Sequence, residues 1–394
     1  MDRPLLNRRL AEFGTTIFAE MSALAVRTGA INLGQGFPDT DGPEEVREAA
    51  VRALRDGRGN QYPPGPGIPE LRTAVAAHQE RFYGHLGLSC DPDTEVLVTA
   101  GATEAIAASL LALLEPGDEV IALEPYYDSY AACIAMAGGT RVPVTLRPDP
   151  ESGSYTLDLD ELRDAVTDRT RLILLNTPHN PTGTVLTRDA LAEVARLACE
   201  RELLVITDEV YEHLVFEGEH LPLASFPGMR ERTVTIGSAG KTFSFTGWKV
   251  GWVTATPELV GAVRSAKQFL TYVSAGPFQY AVAEALALPD SYYTGLRDDL
   301  RAKRDILATG LTDAGFQVFR PSGTYFITTD IRPLGFDDGF AFCRTLPERA
   351  GVVAIPNAVF YDHQDQGAPF VRFAFCKRTD VLNEAVTRLK QLAP

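Results

Sequence analysis

From residue 95 onward, short runs of Val, Ile and Leu alternate with stretches that have a helical pattern, and this alternation is what most limits the fold. We predict that the runs are strands and that the stretches between them are helices. Continuous apolar strands separated by helices are typical of a mostly parallel sheet that is buried on both faces. The seven predicted strands are EVLVTAG, DEVIALEP, RVPVTL, RLILLNTP, LLVITDE, TVTIGS and VGWVTA.

The chain divides into three regions on this pattern. Residues 1–42 are predicted to form an N-terminal arm, with a helix near Ile17–Thr28, that packs with the C-terminal region. Residues 43–280 are predicted to form a large α/β domain, and residues 281–394 a smaller α+β domain. A chain of 394 residues, of which 45% are hydrophobic, is long enough to bury two cores.

Charge and cysteine content exclude several classes of function. The formal net charge of −15, without a basic run, disfavours nucleic acid and acidic membrane surfaces as partners. The five cysteines are scattered and form no CxxC pair, so neither a zinc site nor a disulfide framework is indicated. We expect a cytoplasmic protein, because the first residues lack the apolar core of a secretory signal and Ala105–Leu114 is too short to span a bilayer.

Polar residues follow five of the predicted strands. In parallel α/β sheets, ligands bind beyond the carboxyl ends of the strands. Side chains that follow different strands therefore meet in one crevice, which we interpret as the functional site. The residues in these positions are Gly101-Ala102-Thr103, Tyr126-Tyr127, Asn180, Asp208 with Tyr211, and Ser238 with Lys241.

The stretch IGSAGKTFSFTGWKVGW, residues 236–252, contains the candidate nucleophile, Lys241. The chain has six lysines, and we interpret Lys267, Lys303 and Lys390 as solvated surface charges. Phe243, Phe245 and Trp248 follow Lys241, so we expect apolar surroundings that lower its pKa. Pyridoxal phosphate needs an amine for its aldehyde and donors for its phosphate. Lys241 fits the first need, and Ser238 and Lys249 fit the second.

Three residues near strand ends suit the ring of such a cofactor. The Asp208 carboxylate would pair with a protonated pyridine nitrogen, although an Asp after a strand is also a common helix cap. Tyr211, three residues later, would reach the ring oxygen or be a packed core tyrosine. The Asn180 amide would donate to the same oxygen, although Asn-Pro is also a common turn.

The remaining candidates bind anions or stack. Backbone N–H groups after Gly101, with the Thr103 hydroxyl, suit a phosphate at a helix N-terminus. Tyr127 would stack on a ring or belong to the core. Arg372, among apolar residues, would bind a substrate carboxylate or make a structural salt bridge. The lone GQG at 34–36 is a weak signal, and the lack of a GxGxxG after a strand counts against a dinucleotide site.

Together these motifs resemble the class I aminotransferases of the fold-type I pyridoxal-phosphate superfamily, over nearly the whole chain. The nearest branch contains N-succinyldiaminopimelate, kynurenine/glutamine and methionine aminotransferases. The motifs that carry the resemblance are NLGQGFPD, NQYPPGPG, GATEAI, EPYYDSY, PHNPTG, ITDEVYEHLVF, GSAGKTFSFTGWKVGW and FVRFAFCKR.

The resemblance implies a role for each candidate and a homodimer with shared active sites. Lys241 would form the Schiff base and move the substrate proton. Asp208 would bind the ring nitrogen, with Asn180 and Tyr211 on the ring oxygen and Tyr127 stacked on the ring. The remaining implied residues are Ala102, Thr103, Ser238, Lys249 and the neighbouring subunit's Tyr62 for the phosphate, Arg372 with Gly36 and Asn180 for the α-carboxylate, and Phe18 and Phe326 for the substrate pocket.

The motifs resemble two different branches of the family, and these branches imply different substrates. YPPGPG, GATEAIAA and SAGPFQYAV resemble the succinyldiaminopimelate enzymes, whereas KTFSFTGWK resembles the kynurenine/glutamine branch. Lys249 stands where the commoner class I pattern has Arg, and a lysine contacts phosphate as a point charge instead of a fork.

Three hypotheses follow for function. The first is a ping-pong transaminase, with N-succinyl-LL-diaminopimelate and 2-oxoglutarate as the best substrate pair. The second is a cysteine-conjugate β-lyase on the same cofactor, since it needs the same residues. The third is the ligand-sensing domain of a transcription regulator, which we disfavour because the resemblance starts near residue 13 and leaves no space for a DNA-binding domain.

Overall fold

The computed structural model describes residues 5–14, 16–149, 151 and 153–392. Some helices begin or end at capping residues: Thr16 caps the first helix, and Gly29 ends it in a left-handed conformation. The α-helices are α1 (Ile17–Thr28), α2 (Glu44–Arg55), α3 (Pro69–Tyr83), α4 (Gly101–Leu113), α5 (Asp128–Ala137), α6 (Leu159–Asp164), α7 (Arg188–Glu200), α8 (Ala239–Thr242), α9 (Pro257–Lys267), α10 (Gly276–Leu286), α11 (Asp290–Asp313), α12 (Gly339–Ala350), α13 (Gln364–Gly367) and α14 (Thr379–Leu389).

The strands form a large sheet, a small antiparallel sheet and a two-stranded ribbon. They are β1 (Ile31–Asn32), β2 (Val96–Thr99), β3 (Glu119–Glu124), β4 (Thr140–Asp149), β5 (Ser154–Leu157), β6 (Thr170–Asn176), β7 (Leu204–Asp208), β8 (Thr233–Ser238), β9 (Gly251–Thr254), β10 (Gln317–Phe319), β11 (Phe326–Asp330), β12 (Val352–Val353), β13 (Ile355–Pro356) and β14 (Phe370–Ala374).

The large sheet has the order β2-β9-β8-β7-β6-β3-β4-β5. Strands β8, β7, β6, β3 and β4 are parallel, which confirms the mostly parallel α/β sheet predicted from the apolar runs. Both faces are buried: on β3, Val120 and Ala122 pack into one core, and Ile121 and Leu123 pack into another. Because no face is left for solvent, these strands are continuously apolar.

The edges of the large sheet add detail that the apolar runs did not show. Seven of its strands are those predicted, and β5 is an eighth that pairs antiparallel with β4 at the edge. Strand β9 runs antiparallel to both β2 and β8. Because of this direction, the residues before β9 lie at the same edge of the sheet as the residues that follow β8.

The small sheet is antiparallel with the order β10-β11-β14-β13, and the N-terminal arm packs beside it. Strand β1 pairs with β12, so that Ile31 lies opposite Val352. Met21 and Leu24 of α1 and Leu33 share one core with the small sheet and α14. The arm therefore rests on the C-terminal region.

Helix α10 spans residue 280, the predicted end of the large domain. It packs against α2 and α3, in a core that also contains Val96 and Val98 of β2. This packing places the whole of α10 with the large sheet. Within the described residues, no helix has both the length and the apolar composition needed to cross a membrane.

Candidate active site

The carboxyl ends of the parallel strands form one wall of a cavity of about 470 Å³ between the large sheet and the small sheet. Strand register brings the polar residues together: Asn176 at the end of β6 lies opposite Asp208 at the end of β7. Ser238 at the end of β8 lies opposite Gly251, which follows Lys249 by two residues. Apart from Tyr62 and Tyr126, the residues that we predicted for the site line this cavity: Phe18, Gly36, Gly101, Ala102, Thr103, Tyr127, Asn180, Asp208, Tyr211, Ser238, Lys241, Lys249, Phe326 and Arg372.

Lys241 projects into this cavity from α8, directly after β8. Its Nζ lies 3.0 Å from the Tyr325 hydroxyl and 5.6 Å from the centres of the Tyr211 and Tyr325 rings. Burial lowers the pKa of Lys241 to about 8. A lysine in this setting is partly neutral near pH 7 and can act as a nucleophile.

The aromatic residues expected to surround Lys241 lie elsewhere. Phe245 stacks on Trp248 with ring centres 3.8 Å apart, and Phe243 packs in the core beside α10. The expectation that the sequence neighbours of Lys241 desolvate it was therefore wrong. The rings beside the amine are instead those of Tyr211 and Tyr325, because α8 is a single turn and Phe243 and Phe245 after it pack into another core.

Asp208 is a buried carboxylate at the bottom of the cavity. The hydroxyl of Tyr130 donates to its Oδ2 at 2.7 Å. Burial raises the pKa of Asp208 to about 6 despite this bond. A cation or N–H donor placed against the carboxylate would offset that cost, which fits the predicted pairing with a protonated ring nitrogen.

Asn176 organises the chain around Asp208. Its amide nitrogen donates to the Asp208 carbonyl at 2.8 Å, and its side-chain oxygen accepts from the Asn180 backbone N–H at 2.7 Å. The turn after β6 is thus tied to the end of β7. This explains why Asn180, four residues beyond its strand, still reaches the cavity.

Arg372 on β14 is a fully buried guanidinium, 1% exposed, on the small-sheet side of the cavity. Its Nη1 donates to Asn180 Oδ1 and its Nη2 to the Gly34 carbonyl, both at 2.9 Å. Its Nε has no partner among the described residues, and its planar group lies 4.1 Å from the centre of the Phe326 ring. Burial lowers the pKa of Arg372 to about 10.

Within the described residues, no carboxylate lies within ion-pair distance of Arg372. A buried cation without an anion is costly, and an unpaired Nε–H adds to that cost. The structural salt bridge that we kept as an alternative is therefore absent from this part of the chain. The arrangement suits an external carboxylate bound by the guanidinium.

An anion cradle lies at the N-terminus of α4. Gly101 has a φ of +74°, and a Cβ there would lie 3.3 Å from the Lys249 amine. The first-turn N–H groups at Ala102 and Thr103 face the same cavity as Ser238 and Lys249. Backbone donors, a hydroxyl and an ammonium group together suit a phosphate.

Two tyrosines of this site were missed in the sequence. Tyr130 lies three residues after Tyr127 on α5, so the spacing of EPYYDSY contained the signal that both face one side. Tyr325 immediately precedes β11, and its hydroxyl also donates to the Gly36 carbonyl at 2.6 Å. No local pattern marked it, because its partners lie far away in the chain.

Tyr62 and Tyr126 do not line the cavity, and one lysine that was predicted to be exposed is buried. The Tyr62 ring is 81% exposed and packs edge-on against Tyr272, with ring centres 5.5 Å apart. Its assignment to a neighbouring subunit stays a prediction. Lys267, predicted as a surface charge, is instead 1% exposed, and its amine donates to the Tyr272 carbonyl at 2.5 Å. The prediction for Lys267 was wrong, because this lysine stabilises the turn after α9.

The raised pKa of Asp208 predicts a measurable cost to stability. The folded protein holds this proton to about pH 6 and the unfolded chain only to about 3.8, so stability falls as the pH rises through that window. Asp208→Asn removes the charge. We expect it to raise the free energy of unfolding of the cofactor-free protein at pH 8 by about 2–3 kcal/mol, and by less at pH 5.

Urea titrations at the two pH values measure this difference, with the exposed Asp313→Asn as the control. An equal gain in the free energy of unfolding at both pH values, or a loss at pH 8, would contradict the assignment of Asp208 as a carboxylate destabilised by burial.

Comparison with known proteins gives a consistent picture. Residues 28–389 match the family described as "Aminotransferase class I and II". The chain is similar to the "Probable N-succinyldiaminopimelate aminotransferase DapC" of Mycobacterium tuberculosis, with 55% identity over 98% of each chain. It is also similar to the methionine aminotransferase of Escherichia coli, with 40% identity over 99% of this chain and 100% of the other. The solved structure of the M. tuberculosis N-succinyldiaminopimelate aminotransferase superimposes with a TM-score of 0.95, at 56% identity over 98% of this chain and 100% of that chain.

Proposed function

Because this chain belongs to the class I and II aminotransferases, we propose that pyridoxal 5′-phosphate is its cofactor and that Lys241 is the residue that binds it covalently. The chain is an enzyme that transfers amino groups. The observation that supports the cofactor assignment most is the single cavity that joins a desolvated amine, a buried carboxylate and an anion cradle.

The residues fit the shape and charge of this cofactor. The α4 N-terminus, Ser238 and Lys249 would hold its phosphate, and Asp208 would face its ring nitrogen. Tyr127 would lie against the ring, with Asn180 and Tyr211 at the ring oxygen. Arg372 is on the small-sheet side, its Nε has no partner among the residues that the structure describes, and it remains for the substrate carboxylate, beside Gly36.

When bound, pyridoxal phosphate supplies an electrophilic aldehyde and a ring that withdraws electrons from the substrate Cα. Asp208, with a pKa of about 6, is mainly ionised at neutral pH. Its carboxylate would therefore stabilise a positive charge on the ring nitrogen of the cofactor. Lys241, with a pKa of about 8, takes and returns a proton near neutral pH. Arg372 orients the substrate through its carboxylate, so that the reacting carbon faces Lys241.

For the substrates, we propose N-succinyl-LL-diaminopimelate as amino donor and 2-oxoglutarate as acceptor, in a ping-pong reaction. The similarity to the M. tuberculosis enzyme supports this pair. A broad-specificity kynurenine, glutamine or methionine transaminase is the second candidate. The methionine aminotransferase at 40% identity and the kynurenine–oxoglutarate transaminase of Dictyostelium discoideum at 38% identity favour it.

A half-reaction screen separates these candidates. Cofactor-loaded enzyme is mixed with one amino acid at a time, without any keto acid, and the loss of the visible absorbance band is timed. We expect the succinylated diaminopimelate to react fastest, ahead of kynurenine, glutamine and methionine. A slower reaction than with methionine would overturn the substrate assignment. Pyruvate and ammonia released from a cysteine conjugate without acceptor would instead indicate a β-lyase.

We propose that the protein is a homodimer with shared active sites. Exposed aromatic side chains support this: Tyr62 and Tyr272, which are 81% and 52% exposed, pack edge-on against each other, and Phe269 is 85% exposed. Tyr272 and Ala275 also have positive φ, which is costly for residues other than glycine and typical of functional segments. Sedimentation velocity should give the mass of a dimer, and a monomer at micromolar concentration would contradict this proposal. We propose a cytoplasmic location on the basis of the scattered cysteines.

A further inference from the structure

The hydroxyl of Tyr325 lies between the amine of Lys241 and the loop of residues 34–36, which also contacts Arg372. Tyr325 is 1% exposed, and its ring packs edge-on against Tyr211 and Phe326, with centres 5.4 and 4.8 Å away. Its oxygen is 2.6 Å from the Gly36 carbonyl and 3.0 Å from Lys241 Nζ. A buried hydroxyl with two short contacts has little freedom to rotate.

The chemistry of the partners fixes the direction of both hydrogen bonds. The Gly36 carbonyl can only accept, so Tyr325 donates its single proton there. The contact with Lys241 must then be an N–H of the lysine donating to the phenol oxygen. An acceptor stabilises an ammonium group more than a neutral amine, because charge-assisted hydrogen bonds are stronger. Tyr325 therefore favours the protonated form of Lys241, against the effect of burial.

The anchor of Tyr325 is rigid. A Cβ at Gly36 would lie 2.4 Å from the Phe326 ring, so the loop is packed directly onto β11. Two residues earlier, the Gly34 carbonyl accepts from Arg372. One short loop thus holds both the group that positions the lysine and the guanidinium that faces the substrate carboxylate.

We propose that Tyr325 is a positioning residue for Lys241: its hydroxyl, anchored on the Gly36 carbonyl, holds the lysine amine in the cavity whenever that amine is not covalently engaged and sets the fraction that is neutral. This inference rests on the proposed function only in taking Lys241 as the reactive amine. It assigns Tyr325 a role through Lys241 and not a contact with substrate.

The test measures the titration of Lys241 without cofactor or turnover. Cofactor-free protein is labelled with a trace of acetic anhydride between pH 6 and 10, and mass spectrometry follows the acetylation of each of the six lysines. In Tyr325→Phe the ring remains and only the oxygen is lost. We expect the midpoint for Lys241 to move down by about half to one pH unit, which raises its neutral fraction about three- to tenfold below the midpoint.

Tyr293→Phe is the matched control. Tyr293 is also buried, its hydroxyl also donates to a backbone carbonyl, that of Leu286 at 3.1 Å, and it does not line the cavity. In Tyr293→Phe, the acetylation of Lys241 should follow the same pH profile as in the wild type. An unchanged midpoint in Tyr325→Phe would reduce Tyr325 to a packing role, and an upward shift would reverse the assigned hydrogen-bond direction; either result overturns the proposal.

A second measurement keeps this inference separate from the proposed function. Pyridoxal phosphate is added to the same three proteins, and borohydride reduction followed by mass spectrometry locates the modified lysine. If no variant, including the wild type, is modified at Lys241, the proposed cofactor site fails, whereas the acetylation profiles still decide the role of Tyr325. If the site is correct, loading of Tyr325→Phe should reach its half-maximal rate at a lower pH than loading of the wild type.

Discussion

Replacing Lys241 with alanine should abolish amino transfer, with a loss in kcat of about 10⁴-fold or more. A positioned acid–base group alone contributes about 10²–10⁴-fold, and here the same amine also forms the covalent link to the cofactor. The visible absorbance of the lysine-bound cofactor should disappear as well. Steady-state rates with the best amino donor, together with an absorbance spectrum of the dialysed protein, measure both effects.

The control for this variant is Lys390→Ala. Lys390 is an exposed lysine paired with Asp313 at 3.1 Å, and it does not line the cavity. That variant should keep the rate and spectrum of the wild type. Turnover by Lys241→Ala at more than a few per cent of the normal rate would refute the assigned role of the lysine.

Replacing Arg372 with lysine should lower kcat/KM for amino acids by about 10²–10³-fold. A buried hydrogen-bonded charge pair that loses its geometry costs about 3–4 kcal/mol, and a lysine cannot form the fork that a carboxylate needs. Lysine would also lose the bonds to Asn180 and Gly34, so the loop that carries Gly36 would be held less well. Initial rates over a range of donor concentrations give the two kinetic constants.

The loss in kcat/KM caused by Arg372→Lys should depend on whether the substrate has a carboxylate. For a primary amine that has the same side chain but no carboxylate, wild type and Arg372→Lys should differ by less than about tenfold, because the lost interaction was never made. Arg344→Lys, at an exposed pair with Glu20, is the matched substitution and should leave both substrates unaffected. A uniform loss on acids and amines alike would show that Arg372 serves the fold and not the carboxylate.

The large sheet was predictable because its signal is local and repeated. Strands such as β3 and β6 are buried on both faces, so their sequence is continuously apolar and is easily separated from the helices. Edge strand β5 lacked this signal, since it is half exposed and pairs only with β4. The start of helix α10 also lacks a clear local signal, because Gly276 and Pro277 begin it and these residues are also typical of turns.

The candidate site was predictable where chemistry coincides with position along a strand. Asp208 and Ser238 end their strands, so the rule for parallel sheets placed them together. The surroundings of Lys241 were not predictable in this way. Phe243, Phe245 and Trp248 are its neighbours in sequence, but α8 ends after one turn and takes them to another core.

The sequence by itself determined the α/β class, the edge of the sheet where the site lies and most of the side chains in it, because each of these depends on the order of residues within a single strand and its following turn. Tertiary structure alone decided which groups set the reactivity of these side chains. Tyr325, next to the small sheet, reaches Lys241 beside the large sheet, and the Gly34 carbonyl of the arm reaches Arg372 in the small sheet. These pairs are separated by 84 and 338 positions, and hydrogen bonds over such separations leave no periodic trace in the chain.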